Sequence, residues 1–232
     1  MGSGPVPHSG AKLTAPQLIW HPSPNFGPRR NGLTPAFVVL HYTAMESADA
    51  ALDRLCDAEA EVSAHYLIGR NGACWQLVEE AERAWHAGVG SWHGLDDLNS
   101  RSIGIELDNR GKEPFSEPLM CALEELLRGV LQRWSLPPEA VIAHSDLAPG
   151  RKWDPGPRFD WARLARQGLA AWTPQPAVPS ENLSDALCSA GYSSDAEVEH
   201  RLAAFRLRHG AWSRDEAGVI AALARGASLS RT

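Results

Sequence analysis

Hydrophobic positions along the chain follow two different periods, which distinguish strands from helices. The run Phe37-Val38-Val39-Leu40 is apolar and rich in β-branched side chains, as is typical of a buried strand. Ile103, Ile105 and Leu107 alternate with the residues between them, so these three side chains lie on one face of a second strand. Shorter runs predict further strands at residues 65–68, 74–78 and 141–143.

Helical spacing predicts longer elements between and after these strands. Ser116 is a candidate N-cap for an amphipathic helix whose leucine-rich stripe extends to Trp134. Asp160 is placed to cap a further helix that extends to Trp172. Other helical patterns occupy residues 47–60, 183–187, 198–209 and 217–224. Strands that alternate with helices indicate an α/β unit, and the last three patterns indicate a small helical unit after it.

The distribution of proline and glycine suggests where these units begin and end. Residues 1–35 are rich in both and are expected to form an irregular N-terminal arm. Residues 36–173 then form the α/β domain, residues 174–180 a proline-rich linker, and residues 181–232 the helical unit.

Composition and charge narrow the class of protein. With 232 residues, 44% hydrophobic and 22% charged, the chain suits a soluble globular protein. A net charge of −6 argues against a general nucleic-acid binder. Residues 201–232 hold six arginines against two acidic residues, so this tail could contact an anionic polymer or a membrane; a solvated helical face is the simpler interpretation. The four cysteines form no CxxC pair and are expected to be buried free thiols.

Hydrophobic runs also bear on the location of the protein. No stretch contains the roughly 20 apolar residues that span a membrane. The first ten residues lack a charged segment followed by an apolar run, so a secretory signal is not expected there. A cytoplasmic location is therefore expected, with the periplasm or cell envelope as the alternative if an export signal is missing from the start of the sequence.

Three residues near the predicted strands suit metal chemistry. His41 follows the Phe37–Leu40 run directly, and His144 follows the strand at 141–143. Asp154 comes ten residues later, and the two prolines and two glycines around it could return it to His144. Two imidazoles and one carboxylate suit Zn²⁺ and leave a fourth position open for water. On spacing alone the metal site stays open, because histidines at strand ends are more often hydrogen-bonded structural residues.

Five short motifs occur along the chain in one fixed order. They are His41-Tyr42-Thr43, Ser63-Ala64-His65-Tyr66, Trp85-His86-Ala87-Gly88, Asn99 with Ser102-Ile103-Gly104-Ile105-Glu106, and His144-Ser145-Asp146 through Asp154-Pro155-Gly156. Together they resemble the N-acetylmuramoyl-L-alanine amidases of the type 2 amidase family, which share a fold with peptidoglycan recognition proteins. The resemblance covers roughly residues 35–172 and implies a central mixed β-sheet flanked by helices.

The resemblance also implies a metal site and two catalytic side chains. It assigns His41, His144 and Asp154 as zinc ligands, the same three residues that the strand ends suggest. Zinc lowers the pKa of bound water to about 7 and polarises carbonyl groups, and hydrolysis of an inert amide needs both effects. Glu106, which alternates away from the apolar face of its strand, is implied as the general base. Lys152 is implied as the cation that supports the charged intermediate.

The implied reaction is hydrolysis of the amide bond between the lactyl group of (1,6-anhydro-)N-acetylmuramic acid and L-alanine, in muropeptides or peptidoglycan. Trp85, His86 and Asn99 resemble family positions near the substrate groove, although Trp85 could equally be a core residue. A first rival is a recognition module that binds muropeptide without cleaving it; such modules usually lack a zinc ligand, and here all three are present. A zinc peptidase or a lysozyme-like enzyme is a second rival, but no second carboxylate pairs with Glu106.

The last unit extends beyond the simplest members of that family. Residues 181–232 are similar to the three-helix peptidoglycan-binding-like domain of longer amidases, in a shorter form. The alternative is a helical appendage that packs on the catalytic domain. A monomer is expected.

Overall fold

A computed structural model describes residues 17–171 and 183–210 of the chain. Its strands are β1 (Leu18–Trp20), β2 (Phe26–Pro28), β3 (Phe37–Tyr42), β4 (Tyr66–Ile68), β5 (Cys74–Gln76), β6 (Glu82–Ala84), β7 (Ser102–Leu107) and β8 (Val141–Ala143). Its α-helices are α1 (Ala48–Cys56), α2 (Leu98–Arg101), α3 (Glu117–Trp134), α4 (His144–Leu147), α5 (Trp161–Arg166), α6 (Leu183–Ser189) and α7 (Val198–His209).

Six of the strands form one mixed sheet in the order β1-β5-β4-β7-β3-β8. Strand β3 lies between β7 and the edge strand β8 and pairs in parallel with both, whereas β5 runs antiparallel to β4. Strands β2 and β6 form a separate antiparallel pair. The expected α/β fold with a central mixed sheet flanked by helices is therefore confirmed.

Alternating side chains of β3 divide between two hydrophobic cores, one on each face of the sheet. Val38 and Leu40 pack in the core that the stripe of α3 covers. Phe37 and Val39 pack on the opposite face, in a core completed by residues of α6 and α7. Because β3 is buried on both faces, its sequence is a continuous apolar run and does not alternate with polar residues.

The predicted helix caps are only partly correct. Ser47 accepts a hydrogen bond from the Ala50 amide at the start of α1, as a cap does. Asp160 likewise accepts from the Arg163 amide at the start of α5. Ser116 occupies the N-cap position of α3, but its hydroxyl donates to the Arg70 carbonyl at 2.5 Å and makes no capping bond.

Two boundaries differ from the sequence predictions. Residues 17–35 are not wholly irregular, because β1 pairs with β5 and β2 with β6, and these long-range partners leave no local signal. Helix α5 ends at Arg166 and does not reach Trp172, since Gly168 has a φ of +68° and turns the chain back onto the first core. The predicted linker at 174–180 and helix at 217–224 lie outside the described residues.

The C-terminal helices pack against the sheet. Leu187, Tyr192 and Phe205 are buried in the second core together with Val39 and Leu147. This arrangement fits the alternative of a helical appendage on the catalytic domain, while a peptidoglycan-binding role remains a prediction.

Two side-chain environments in this region differ from expectation. Arg201 and Arg208 are buried, so the interpretation of the basic tail as a solvated face is wrong for these two arginines. All four cysteines are unpaired, as expected, but only Cys74 is buried. None of the helices within 17–171 and 183–210 is both long and apolar enough to cross a membrane.

Candidate active site

The carboxyl ends of β3 and β8 meet at one edge of the sheet, because these neighbouring strands are parallel. His41 is the fifth residue of β3, and His144 is the first residue after β8. The loop that follows α4 returns Asp154 to this edge, where the Ser145 amide donates to the Asp154 carbonyl oxygen at 3.0 Å. The fold thus brings together the three residues that the sequence predicts as metal ligands.

The three side chains converge on a single point. His41 Nδ1 and His144 Nδ1 lie 2.9 Å apart, and each lies 3.0 Å from Asp154 Oδ2. All three residues are buried. Burial lowers the pKa of His41 to about 4, assisted by the neighbouring His144, so the ring is neutral and able to act as a ligand.

Hydrogen bonds at the far side of each imidazole indicate which ring nitrogen carries the proton and which faces the point where the three side chains converge. His144 Nε2 lies 3.0 Å from the Ala87 carbonyl oxygen, which can only accept, so Nε2 carries a proton and the neutral form of the ring has its lone pair on Nδ1.

The same reasoning applies to His41 through a longer series of hydrogen bonds. The Ser102 hydroxyl donates to the Leu98 carbonyl, so its oxygen accepts from His86 Nε2 at 3.3 Å. Burial and the nearby His41 hold the pKa of His86 well below its usual value, so its Nδ1 is unprotonated and accepts from His41 Nε2 at 3.1 Å. His41 Nδ1 is therefore also a lone-pair donor.

Two imidazole lone pairs and a carboxylate oxygen consequently face one another without a proton between them. Such an arrangement is repulsive unless a cation lies at its centre. The donor set of two neutral histidines and one aspartate is one that tetrahedral zinc accepts, with one position left for water or substrate. The residues present therefore fit a zinc ion.

The segment Trp85-His86-Ala87 supports both histidines and is itself held from behind. Asn99 Oδ1 accepts from the His86 amide at 3.0 Å and from the Ala87 amide at 2.8 Å. The Asn99 side chain is only 8% exposed, and it is not among the described residues that line the cavity at the site. Trp85 and His86 do line that cavity. The structure thus gives His86 and Asn99 supporting hydrogen bonds, and substrate contact by these residues remains a prediction.

Glu106 lies beside His41, its register partner across the β3–β7 pair. Its side chain points into the cavity, away from the buried Ile105 and Leu107. Glu106 Oε2 is buried without a hydrogen-bond partner among the described residues. Burial, assisted by Asp154, raises the pKa of this carboxyl to about 8. An unpaired carboxylate with a raised pKa is suited to exchange protons at the reaction centre.

The cavity has a volume of about 380 Å³ and is lined by His41, Tyr42, Thr43, Ala44, Met45, Ala51, Arg54, Leu55, Val62, Ser63, Trp85, His86, Glu106, His144, Arg151, Lys152, Trp153 and Asp154. Lys152, the predicted electrostatic residue, is among them. A concave site of this size is typical of small-ligand binding.

Two residues that line this cavity were not predicted from the sequence. The indole of Trp153 is 51% exposed at the cavity, and its position next to Asp154 is the one signal that could have found it. No signal in the sequence points to Arg151, but its guanidinium donates to the Ala87 carbonyl at 3.0 Å and also to the Val89 carbonyl. It therefore fixes the same backbone that accepts from His144.

Comparison with known proteins places these features in a family. The family described as N-acetylmuramoyl-L-alanine amidase matches residues 31–157. The N-acetylmuramoyl-L-alanine amidase AmiD of Escherichia coli (strain K12) is 39% identical over 193 residues, which cover 71% of this chain and 69% of AmiD. The 1,6-anhydro-N-acetylmuramyl-L-alanine amidase AmpD of Haemophilus influenzae is 32% identical over 159 residues, covering 61% of this chain and 86% of AmpD.

Solved structures agree with these sequence matches. Escherichia coli AmiD, in complex with the substrate anhydro-N-acetylmuramic acid-L-Ala-D-gamma-Glu-L-Lys, superposes with a TM-score of 0.72 and 32% identity, covering 88% of this chain and 91% of AmiD. AMPDH3 of Pseudomonas aeruginosa, in complex with anhydromuramic pentapeptide, gives a TM-score of 0.74 at 28% identity, covering 96% of this chain and 98% of that one. From its sequence motifs, its fold and these relatives, the chain belongs to the N-acetylmuramoyl-L-alanine amidase family.

Proposed function

We propose that this amidase binds one zinc ion through His41, His144 and Asp154 and cleaves the lactyl–L-alanine amide of muropeptides. The observation that carries the proposal is the convergence of ligand atoms from His41, His144 and Asp154 in the cavity that also holds the unpaired carboxyl oxygen of Glu106. When bound, zinc activates water as a nucleophile and polarises the scissile carbonyl.

Glu106 supplies the proton transfers of the reaction. Its carboxylate takes a proton from the attacking water as the new C–O bond forms, and later gives that proton to the L-alanine nitrogen as the C–N bond breaks. The pKa of about 8 describes the protein without a cation, and a divalent ion nearby lowers that pKa toward neutral pH. Glu106 can then act as both base and acid near pH 7.

Lys152 stabilises the negative charge that develops on the carbonyl oxygen. Its ammonium group lines the cavity that contains the three ligands, and its charge opposes the rise in the pKa of Glu106. Preorganised groups of this kind contribute about 3 kcal/mol to the transition state.

The aromatic side chains at the cavity are suited to the sugar part of the substrate. Trp85 is half-buried and Trp153 is half-exposed, and both line the cavity. AmiD and AMPDH3 are bound to anhydromuramyl peptides in their solved complexes, which supports the same substrate class here. We assign Trp85 to substrate contact, and His86 and Asn99 to the support of the cavity wall.

Parallel digestion of purified anhydro-muropeptide and of intact sacculi, with and without a chelator, tests this function. Mass analysis of the products should show a free L-alanine-terminated peptide that the chelator abolishes. Cleavage of the soluble compound alone would support a cytoplasmic recycling enzyme, which is the location we favour; cleavage of sacculi would favour the envelope. Binding without any cleavage would instead indicate a recognition module, and new reducing sugar ends would refute the amidase reaction.

A further inference from the structure

The C-terminal helices contact the segment that carries two of the proposed zinc ligands. That segment, residues 144–154, begins with α4, which is a single turn of four residues. One helical turn is not stable by itself, since few hydrogen bonds compensate the loss of chain entropy. Contacts from elsewhere in the fold must therefore hold α4 in place.

Asp146 is the residue of α4 to which the C-terminal helices bind. Tyr192 donates from its hydroxyl to Asp146 Oδ1 at 2.8 Å, and Arg208 Nη1 donates to Oδ2 at 2.7 Å. The Ala143 amide also donates to Oδ2, at 2.9 Å. The side chains of Arg208 and Asp146 are 5% and 0% exposed, so this is a fully buried ion pair.

Arg208 also anchors α4 to the sheet and to α5. Its Nη2 donates to the Val141 carbonyl in β8 at 2.8 Å and to the Ala171 carbonyl at 3.1 Å. Its guanidinium carbon lies 4.6 Å from the ring centre of Trp161. The planar guanidinium thus fixes the distance between Asp146 and the strand that leads into His144.

The position of α4 determines the position of both ligands on this segment. His144 is its first residue, and the Ser145 amide binds the Asp154 carbonyl oxygen at 3.0 Å. A second contact lies further along the segment, where a Cβ atom on Gly150 would come within 2.5 Å of His200 Nδ1 in α7. Helix α7 is therefore in close contact with the loop that connects the two ligands.

We propose that Arg208 and Tyr192 are positioning residues of the zinc site, and that the C-terminal helices brace the segment 144–154 from behind. The proposal rests on the proposed function, since it concerns the same zinc ligands. It gives residues 183–210 a role within the catalytic domain itself, independent of any binding to the cell wall.

Two matched arginine variants of the full-length protein test the brace. Arg208→Met removes the ion pair with Asp146. Arg201→Met removes another buried arginine of α7, whose guanidinium donates to Ser184 and Cys188 of α6. Zinc affinity of each metal-free protein is measured by competition with a chromophoric chelator, at a temperature where circular dichroism shows both variants folded. Arg208→Met should bind zinc roughly tenfold more weakly than wild type. This is the lower end of the loss in metal affinity that follows removal of a hydrogen-bond partner of a metal ligand. Arg201→Met should bind zinc within twofold of the wild-type affinity.

A milder variant keeps the test decisive if Arg208→Met does not fold. Tyr192→Phe removes the hydroxyl that donates to Asp146 and keeps the buried ring, so it should weaken zinc binding roughly threefold. Equal zinc affinities of wild type and Tyr192→Phe, or of the two arginine variants, would overturn the brace. Failure of the wild-type protein to bind zinc would instead refute the proposed function, so the two failures are distinguishable.

Discussion

Replacing His86 by leucine removes the hydrogen-bond acceptor of His41 Nε2 while leaving all three proposed ligands in place. His41 then loses the contact at 3.1 Å that keeps its proton on Nε2 and its lone pair on Nδ1. Removal of an outer hydrogen-bond partner of a metal-bound histidine costs roughly 10–100-fold in metal affinity. That range corresponds to about 1.4–2.7 kcal/mol.

The asparagine variant is the matched control for this prediction. In His86→Asn the side-chain carbonyl oxygen lies close to the position of Nδ1, so it can accept from His41, whereas in His86→Gln the amide lies near the position of Nε2. We therefore expect zinc affinity in the order wild type, Asn, Gln, Leu. The ring of His86 also packs closely on Gly104, where a Cβ atom would lie 2.4 Å from it. All three variants lose this ring, so they differ from one another mainly in hydrogen bonding.

Zinc affinity of the metal-free proteins by chelator competition is the primary assay, and kcat at saturating zinc with purified anhydro-muropeptide is the second. If orientation of His41 is the cause, the affinity falls in His86→Leu and recovers in His86→Asn. Equal affinities for these two variants would refute the tautomer argument, even if both were less stable than wild type.

Other consequences of the structure can be measured separately. Glu106→Gln should keep wild-type zinc affinity and lower kcat by roughly 10²–10⁴-fold, because it removes the proton carrier; normal turnover would exclude Glu106 from the mechanism. His144→Ala should abolish the zinc-dependent rise of Tm seen in calorimetry, since a ligand that binds only the folded state stabilises it; a zinc-stabilised, active variant would refute the ligand assignment. Glu80 is buried; although burial opposes its charge, hydrogen bonds from Arg133, Tyr66 and Trp134 hold its pKa below the usual value. A depressed pKa contributes stability that is complete above the unfolded value and is lost as the pH falls. Glu80→Gln should thus lower the free energy of unfolding, measured with urea, by about 2 kcal/mol at pH 7 and by less in acid. The control Glu79→Gln, at an exposed position, should change it by less than about 0.5 kcal/mol. The same loss for Glu80→Gln at pH 7 and in acid would contradict the ion-pair account.

The buried pair of Arg208 and Asp146 changes how the C-terminal extension is understood. The basic residues of this region suggested contact with an anionic polymer, yet two of them are used inside the fold. A buried carboxylate that loses its arginine partner is strongly destabilising, so shortening the chain before α7 would leave Asp146 unpaired inside the catalytic domain. Any binding of the cell wall by this unit would have to use its other surface.

Elements whose signals are local could be predicted from the amino-acid sequence. The apolar run in β3, the alternation in β7 and the stripe of α3 follow from periods that are read within a few residues. The sequence also indicated His41, His144 and Asp154, because the two histidines directly follow predicted strands and the motifs occur in the order of a known family.

The polar groups that support those residues could not be predicted, because they come together through long-range packing. The acceptor of His41 is His86, 45 positions away, and Arg208 reaches Asp146 across 62 positions. Asn99 Oδ1 accepts from the amides of His86 and Ala87, a supporting role that the sequence did not indicate, while its contact with substrate stays a prediction. A hydrogen bond requires two atoms within about 3 Å, and that distance depends on how the layers pack, which no local period encodes.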